Sequence, residues 1–362
     1  MRARQIDVVV IGGGIAGLAT TAALMDRGAD VLCLERGVPG AGQSAGAARG
    51  FRHLHDEPAL VALAVEARAG WRAWEGRAGE RLLGDEGALR LGGDLAPEFA
   101  RLSAAGVTAH EIDGAAIARR LPFLAPVAGP ALLDPGAGAL HAEVAVRALG
   151  GWLGERLVSA EVRGLRARDG AVALDTTDGP IACRCCVVCA GAGSDRLVRS
   201  TGLLLGLERR AHLRLTFAIR PAAMSTVASP VLSDRSGAFG PASYGVPEGS
   251  GRYAVGLAVG EYPMVAAGAE DVPARADLAV ARARLLAYVE TALPGLEPVP
   301  VGEVLRLTTA LARAGDDAFA LRRRGAVMVI AGHNLFKFAP RLGDLLAGAA
   351  LGEEPHPVLV DH

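Results

Sequence analysis

The length and composition of the chain limit the kinds of protein it can be. Its 362 residues are enough for two interleaved domains. An apolar content of 51%, with 48 glycines and 20 prolines, is typical of a turn-rich globular protein and excludes a disordered chain. The net charge of -1 provides no basic field for a nucleic acid or a membrane surface, so neither is an expected partner.

The apolar run over residues 8–25 is long enough to be considered as a membrane span. Its four glycines between positions 12 and 17 disfavour a membrane helix, and Asp7 lies where a signal peptide would carry positive charge. We therefore predict a buried strand over 6–11, a turn, and a buried helix that ends at Gly28. With no targeting segment recognised, we expect a cytoplasmic protein.

A dinucleotide-binding pattern follows the first predicted strand. In Gly12-x-Gly14-x-x-Gly17, the first glycine permits a tight turn, the second lets the backbone approach a pyrophosphate, and the third lets helix and strand pack closely. The helix N-terminus supplies free N–H groups and partial positive charge. Glu35, at the end of the second strand, is placed to accept hydrogen bonds from a ribose, and its charge disfavours a 2′-phosphate and hence NADP.

The glycine pattern does not by itself distinguish NAD from FAD. Glu35-Arg36-Gly37 and the small-residue loop over 37–50 favour FAD. So does a later strand that ends in Ala190-Gly191-Ala192, because it would bring a second glycine turn under the same cofactor.

Four of the five cysteines lie close together, and Cys186-x-x-Cys189 has the form of a redox or zinc half-site. The run alternates into Val187-Val188, which indicates a buried strand in which cysteine replaces a small apolar residue. No second pair at metal-ligand spacing follows. We predict structural thiols and no metal site.

Several segments together resemble the D-amino-acid oxidase superfamily of flavoproteins, most closely its sarcosine oxidase and N-methyltryptophan oxidase branch, over nearly the whole chain. The segments that carry the resemblance are the N-terminal glycine pattern, Gln43-Ser44, Arg49-Gly50-Phe51-Arg52-His53, Ala190-Gly191-Ala192, Tyr244-Gly245-Val246-Pro247 and Gly332-His333-Asn334-Leu335-Phe336-Lys337-Phe338.

The resemblance implies an α/β fold in which a Rossmann-type FAD-binding domain is interleaved with an α+β substrate domain built on an antiparallel sheet. We place the FAD-binding domain at residues 1–80, 141–210 and 316–362, and the substrate domain at 81–140 and 211–315. The implied reaction oxidises a carbon–nitrogen bond of an amine or amino acid that carries a carboxylate. Hydride or its equivalent passes to flavin N5, and the product is an imine.

By resemblance, Arg52 and Lys337 hold the substrate carboxylate, Tyr244 lines the substrate pocket, Glu57 falls at an active-site position, and Arg49 lies beside the flavin. The other implied cofactor-binding positions are Arg36, Ser44, Val162, Ala190, Gly191, His333 and Phe336, together with Lys337 itself. His53 is a further candidate for contact with the isoalloxazine, whereas His55, His110, His141 and His212 are expected to be structural.

The chemistry of Arg52 and Lys337 agrees with these roles. A guanidinium fits a carboxylate through two bonds, and a lysine adds a compact second charge. Lys337 is also the only lysine in a chain whose other 37 Lys and Arg residues are arginines. If the segment is extended, Phe336 and Phe338 face one way and Lys337 the other.

Two positions depart from the family pattern. Thr309 stands where the sarcosine oxidase branch has the cysteine that carries flavin covalently, so we predict non-covalent FAD. Ala254 stands where the family has a lysine that assists reaction with oxygen, and Ala258 stands at a neighbouring family histidine. We therefore predict slow reaction with oxygen and a more apolar substrate face that suits an amine larger than sarcosine.

Two alternatives to an amine or amino-acid oxidase remain open. One is a dehydrogenase of a specialised biosynthetic pathway that uses an electron acceptor other than oxygen. The other is an FAD-binding subunit with no chemistry of its own, against which the presence of Arg52 and Lys337 argues.

Overall fold

A computed structural model describes residues 6–168, 170–265, 274–311 and 318–359. The predicted domain limits at residues 1, 315, 316 and 362 lie outside these ranges. The chain divides into two compact units: the first comprises Met1–Ala45, Glu143–Arg209 and Leu307–His362, and the second comprises Gly46–Ala142 and Arg210–Arg306.

The secondary structure confirms the predicted mixture of helices and strands. The described strands are β1 Ile6–Ile11, β2 Val31–Glu35, β3 Ala48–Phe51, β4 Ala88–Leu91, β5 His110–Ile112, β6 Ala131–Asp134, β7 Gly138–His141, β8 Leu157–Ser159, β9 Val162–Arg168, β10 Ala171–Thr176, β11 Gly179–Val188, β12 Leu207–Ala218, β13 Val231–Asp234, β14 Ser243–Gly249, β15 Arg252–Leu257, β16 Gly302–Leu311, β17 Phe319–Arg324 and β18 Val327–Gly332. The described α-helices are α1 Ile15–Asp26, α2 Pro58–Ala78, α3 Leu95–Ala104, α4 Gly114–Arg120, α5 Ala142–Leu153, α6 Ser194–Val198, α7 Arg275–Ala292 and α8 Ala339–Ala350.

The first unit is built on a largely parallel sheet with the strand order β17-β18-β11-β1-β2-β8, to which β10 and β9 are added beside β11. Strand β1 pairs in parallel with both β11 and β2, and α1 connects β1 to β2. This is the predicted βαβ unit. Strand β1 is apolar because its inner residues Val8 to Val10 are buried on both faces, as expected of a central parallel strand.

Helix α1 explains the apolar character of residues 8–25. Nine of its residues are buried, and α8 packs so closely against it that a Cβ added at Gly343 would come within 2.6 Å of the Ala19 carbonyl carbon. Among the described residues, no helix is long and apolar enough to cross a membrane.

The cysteines lie inside this first unit. All five are buried free thiols, and Cys183, Cys185 and Cys186 belong to β11, next to β1. Burial raises the pKa of the Cys33 thiol to about 12 and that of Cys185 to about 11. Across the described ranges, no group of three or more His, Cys, Asp or Glu residues is placed to hold a metal ion.

The second unit contains most of a largely antiparallel sheet with the order β16-β12-β15-β14-β13-β4-β6-β5. One pair, β13 with β4, is parallel and interrupts the antiparallel pattern that the sequence predicts. One face of the sheet is apolar: Leu215, Tyr253 and Val255 are buried in a core that includes Leu285 and Tyr288 of α7.

The opposite face of the central strands carries polar or small side chains. On β12 the alternate residues are His212, Arg214 and Thr216, and the register places Arg214 opposite Gly256 and Thr216 opposite Ala254 on β15. Since successive side chains of a strand point to opposite faces, these residues share the face away from the apolar core. We call the residues on this side the polar face.

The compact units and the predicted domain boundaries differ most over residues 46–80, and by fewer residues near positions 141, 210 and 307. These residues cluster with the second unit because β3 pairs with β7, aligning Arg49 with Leu140. In addition, a Cβ at Gly50 would lie 3.0 Å from Val231 of β13. The assignment of one unit to FAD and the other to substrate stays a prediction.

Candidate active site

Each of the three glycines of the N-terminal pattern excludes a side chain for a different geometric reason. Gly12 has φ +108°, and a Cβ there would lie 2.5 Å from the Cys189 carbonyl oxygen. A Cβ on Gly17 would overlap the Gly12 carbonyl oxygen, so any larger residue would separate α1 from β1. Around Gly14 the nearest side-chain atom is Ser44 Oγ, 3.3 Å from an added Cβ. The turn therefore leaves its backbone accessible only while these positions lack side chains.

Ser44 lies at the N-terminus of α1. The Ile15 N–H donates to Ser44 Oγ at 2.9 Å, and Gly14, the N-cap residue, offers no side chain to the helix end. Because Ser44 Oγ accepts this hydrogen bond, its hydroxyl can donate its own proton to a further group. A helix N-terminus with a hydroxyl donor beside it suits a phosphate group.

Glu35 is held by two backbone donors. The Gly13 N–H donates to Glu35 Oε2 at 2.6 Å, and the Gly37 N–H donates to Oε1 at 2.8 Å. The carboxylate is half-buried and retains lone pairs for ribose hydroxyls, whereas the neighbouring Arg36 is exposed. With the glycine turn and Ser44, Glu35 therefore fits the ADP end of a dinucleotide.

A second glycine turn lies beside the loop over 37–50. Gly191 has φ +55°, follows the half-buried Ala190, and would place a Cβ 3.3 Å from Gln43 Oε1. The Gln43 amide donates to Thr309 Oγ1 at 3.2 Å, and the Thr309 hydroxyl donates to the Gly332 carbonyl at 3.0 Å. Thr309 is buried, and its hydroxyl is engaged on both sides within the first unit.

Val162, another position of the predicted cofactor-binding set, has a different environment. Its side chain is buried among the apolar residues of the first unit, and its strand β9 pairs with β10. Only its backbone is therefore suited to contact a ligand.

Lys337 is almost fully buried, with a relative exposure of 3%. It lies in a 3-10 turn, Leu335–Phe338, which follows Asn334 in the left-handed region and leads into α8 with Pro340 in its first turn. The segment is not extended, so the alternating arrangement of Phe336, Lys337 and Phe338 does not apply. The Lys337 ammonium lies 5.7 Å from the centre of the Phe338 ring. In the same region, His333 Nδ1 is 2.8 Å from Thr308 Oγ1.

Three arginines of the second unit converge on the Gly46 turn. A Cβ at Gly46 would lie 2.9 Å from Arg214 Nη2, 3.4 Å from Arg49 Nη1 and 3.8 Å from Arg306 Nη1. Arg214 is buried, pairs with Glu248 at 3.0 Å, and shares the Ala48 carbonyl as acceptor with Arg49. Burial lowers the pKa of Arg306 to about 10. The resemblance predicts a site role for Arg49 but for neither Arg214 nor Arg306.

Arg52 is half-buried and lies close enough to Arg90 to influence it. Burial lowers the pKa of Arg90, the nearby Arg235 and Arg52 lower it further, and its salt bridge with Glu98 at 2.9 Å opposes the shift. This part of the second unit therefore carries a concentration of positive charge that suits an anionic group.

Two residues near Arg52 in the chain, His53 and Glu57, have different surroundings from each other. Glu57 is exposed at the N-cap position of α2 and makes no capping hydrogen bond with its side chain. His53 is buried, and its Nδ1 lies 3.0 Å from the Asp134 carboxylate, which also accepts from the His53 backbone N–H at 2.9 Å.

Tyr244 stands on the polar face, directly opposite Gly256 in the β14–β15 register. Its hydroxyl is hydrogen-bonded to His212 Nε2, and the His212 ring stacks on Tyr262 with a centroid distance of 4.4 Å and an interplanar angle of 16°. Burial raises the pKa of Tyr244, although the Arg214 charge opposes the shift, so the phenol stays protonated. His212, predicted to be structural, therefore contacts a predicted site residue.

These features define a dinucleotide-binding α/β protein: a parallel sheet, a glycine turn after its central strand, and a Glu35 carboxylate held beside that turn by backbone hydrogen bonds. Residues 7–349 match the family described as DAO, FAD dependent oxidoreductase, and the chain belongs to this family. The match confirms FAD as the cofactor and the chain as an FAD-dependent oxidoreductase. It also confirms the predicted superfamily, while membership of the sarcosine oxidase branch stays a prediction.

Solved structures share the fold over almost the whole chain. NikD, described as an unusual amino acid oxidase essential for nikkomycin biosynthesis, has a TM-score of 0.82 at 23% identity, over 99% of this chain and 98% of that one. L-proline dehydrogenase from P. horikoshii has a TM-score of 0.83 at 19% identity, over 98% of this chain and 96% of that one. Glycine oxidase from Geobacillus kaustophilus has a TM-score of 0.81 at 22% identity, over 99% of this chain and 100% of that one. A comparison with curated proteins gives no match.

Proposed function

We propose that this flavoprotein oxidises the carbon–nitrogen bond of an amine or amino acid that carries a carboxylate. The observation that carries the proposal is the placement of positive charge. Arg52 lies near Arg90 and Arg235 in the second unit, and the chain's single lysine, Lys337, is buried in the first. Similar structures include an amino acid oxidase, a proline dehydrogenase and a glycine oxidase, which is consistent with such a substrate.

In this proposal FAD, when bound, would supply the hydride-accepting chemistry for the carbon next to nitrogen. Glu35, Ser44 and the N-terminus of α1 hold its ADP end. Arg52 and Lys337 bind the substrate carboxylate, because a buried ammonium and a planar guanidinium favour the ionised form of the acid. Tyr244 borders the amine, and Glu57 and Arg49 are assigned to the site by resemblance alone.

Anaerobic mixing of the holoprotein with a panel of N-alkyl and cyclic amino acids tests the proposal. Bleaching of the oxidised flavin absorbance is the expected result with at least one member. Arg52→Gln should raise the substrate concentration required by about a hundredfold or more, since the substrate carboxylate loses a charged partner. The control Arg220→Gln removes a guanidinium that is 47% exposed and should change nothing. An absence of bleaching with every amine would refute amine oxidation. The remaining alternative would then be an FAD-binding subunit with no chemistry of its own.

A second candidate, a dehydrogenase that passes electrons to an acceptor other than oxygen, is favoured by Ala254. This residue is fully buried on β15, between Val246 of β14 and Thr216 of β12, and supplies no cation at that position. Slow reoxidation of the reduced protein by air, together with fast reoxidation by a quinone or dye, would support the dehydrogenase. Rapid reoxidation by air would identify an oxidase.

A further inference from the structure

The hydrogen-bonded pair of His212 and Tyr244 is assembled from distant parts of the second unit. His212 comes from β12, Tyr244 from β14, and the supporting Tyr262 from the segment after β15. That segment runs along the start of β12, because the Ala211 N–H donates to the Pro263 carbonyl and Arg210 pairs with Met264. The imidazole is therefore held between two aromatic rings, with its Nε2 directed at the Tyr244 hydroxyl.

Small residues on β15 make room for the pair. Gly256 lies opposite both Tyr244 and Arg214, and an added Cβ there would come 2.5 Å from the Tyr244 hydroxyl oxygen. The Tyr244 ring therefore occupies space that any larger residue at position 256 would fill.

The pair has the properties of a proton relay. A phenol hydroxyl can accept one hydrogen bond while it donates another, and an imidazole takes up a proton near neutral pH. An amine substrate is an ammonium ion at neutral pH and must lose a proton before its carbon–nitrogen bond can be oxidised. We propose that His212 is the proton acceptor for the substrate amine and that it acts through the hydroxyl of Tyr244. This inference rests on the proposed function.

The step balances without an external reactant. The substrate ammonium transfers one proton to the Tyr244 oxygen as the phenol's own proton passes to His212 Nε2. The substrate nitrogen keeps the electron pair of the broken N–H bond, the phenol is regenerated, and the imidazole becomes an imidazolium. No electron leaves the substrate until the hydride transfer of the proposed reaction.

The charged and titratable groups around His212 come from each element that packs on it. Arg210 and Arg214 flank it on β12, Tyr244 and Glu248 belong to β14, and Tyr262 covers its ring. Glu248 is engaged by Arg214 at 3.0 Å and by the Thr216 hydroxyl at 2.9 Å. The Tyr244 side chain also hydrogen-bonds to Tyr262 and Arg214. Of the three groups that contact the Tyr244 hydroxyl, His212 is the one whose side chain takes up a proton near neutral pH.

The test measures the rate of anaerobic flavin bleaching against pH with a substrate from the panel. In His212→Gln the side chain can still hydrogen-bond to Tyr244 but cannot accept the proton. Its rate should fall by about a hundredfold at neutral pH. The rate should recover at high pH, where the substrate amine is already neutral. The control His110→Gln changes an exposed histidine of β5 and should keep the wild-type profile.

A loss of rate that is the same at every pH would overturn the relay, as would an unchanged profile. A second measurement, independent of turnover, follows the imidazole resonance of His212 by NMR. Tyr244→Phe should shift its titration midpoint, and an unmoved midpoint would also overturn the proposal. If the wild type bleaches with an amine but His212→Gln keeps its profile, only the relay fails. If the wild type never bleaches, the proposed function fails and the relay with it.

Discussion

The ring of Tyr244 lies over Gly256 on the neighbouring strand, with its hydroxyl oxygen 2.5 Å from the place where a Cβ at Gly256 would stand. Gly256→Ala therefore has to displace the Tyr244 hydroxyl from His212. We expect a destabilisation of about 1–3 kcal/mol, typical of an overpacked site. We also expect weaker binding of carboxylate-bearing amines, measured as the perturbation of the flavin spectrum on titration.

The matched control is Gly260→Ala in the same unit, where an added Cβ meets no heavy atom within 4 Å. It should retain the wild-type melting temperature and ligand affinity. Equal effects of the two substitutions would contradict a specific role for the Tyr244–Gly256 contact.

Gly17→Ala should abolish tight FAD binding and lower the melting temperature. The added methyl would overlap the Gly12 carbonyl and push α1 away from the turn that carries the phosphate-binding N–H groups. Flavin content per polypeptide and thermal unfolding measure the two effects. Gly151→Ala, in a helix where the new Cβ meets nothing within 4 Å, should leave both unchanged or improve stability slightly. Full flavin occupancy in Gly17→Ala would refute the packing argument.

Glu35→Gln should weaken FAD binding without unfolding the first unit. The amide can satisfy only one of the two N–H groups, of Gly13 and Gly37, that the carboxylate accepts. A lost charged acceptor costs about 1–3 kcal/mol, which is roughly a 5- to 150-fold rise in Kd. Titration of the apoprotein with FAD, monitored by flavin fluorescence, measures the Kd. The exposed Glu143→Gln is the control, and equal Kd values for both variants would count against the role of Glu35.

Thr309 leads us to expect that all flavin is released on denaturation. Its hydroxyl, which bonds to Gln43 and Gly332, has no means of forming a thioether. Acid precipitation followed by absorbance of the supernatant and pellet is the measurement. Flavin that remains with the precipitated polypeptide would show a covalent link at some other residue.

The buried thiols predict a loss of stability at high pH. Burial raises the pKa of Cys33 and Cys183 to about 12, above the ordinary value that the unfolded chain restores. The unfolded state therefore releases thiol protons first as pH rises, and the free energy of unfolding should decline from about pH 9 upward. Urea unfolding at a series of pH values above about 9 measures the decline. In Cys33→Ala the free energy of unfolding should fall less steeply with pH. A pH dependence of the free energy of unfolding identical to that of the wild type would contradict the raised pKa of Cys33. Thiol reagents should label the native protein at neutral pH only slowly.

The first unit could be predicted from the sequence in considerable detail. The strand, the glycine turn and α1 are local in the chain, and β2 with Glu35 at its end follows α1 after a short connection. Their arrangement is therefore dictated by turn conformation and burial. The domain limits were less accessible. Residues 46–80 join the second unit because β3 pairs with β7, some 90 residues further along the chain.

In the second unit, Arg52 and Tyr244 are predicted as site residues from short motifs. Arg214, Arg306 and His212 were not identified as site residues, because no local pattern marks a lone polar residue in a strand. Their significance depends on which strands become neighbours, and a shift of one residue in the register would turn each of them to the apolar face.

The sequence alone therefore determined the glycine turn and the site for the ADP end of the cofactor, because an uninterrupted stretch of about 30 residues contains the turn, the helix N-terminus and the carboxylate. FAD rather than NAD was predicted from later segments of the chain and from the resemblance that they carry. Only the tertiary structure decided that His212 meets Tyr244 and that Arg214 and Arg306 reach Gly46. Those contacts join residues far apart in the chain, and sheet register and core packing, rather than local preference, bring them together.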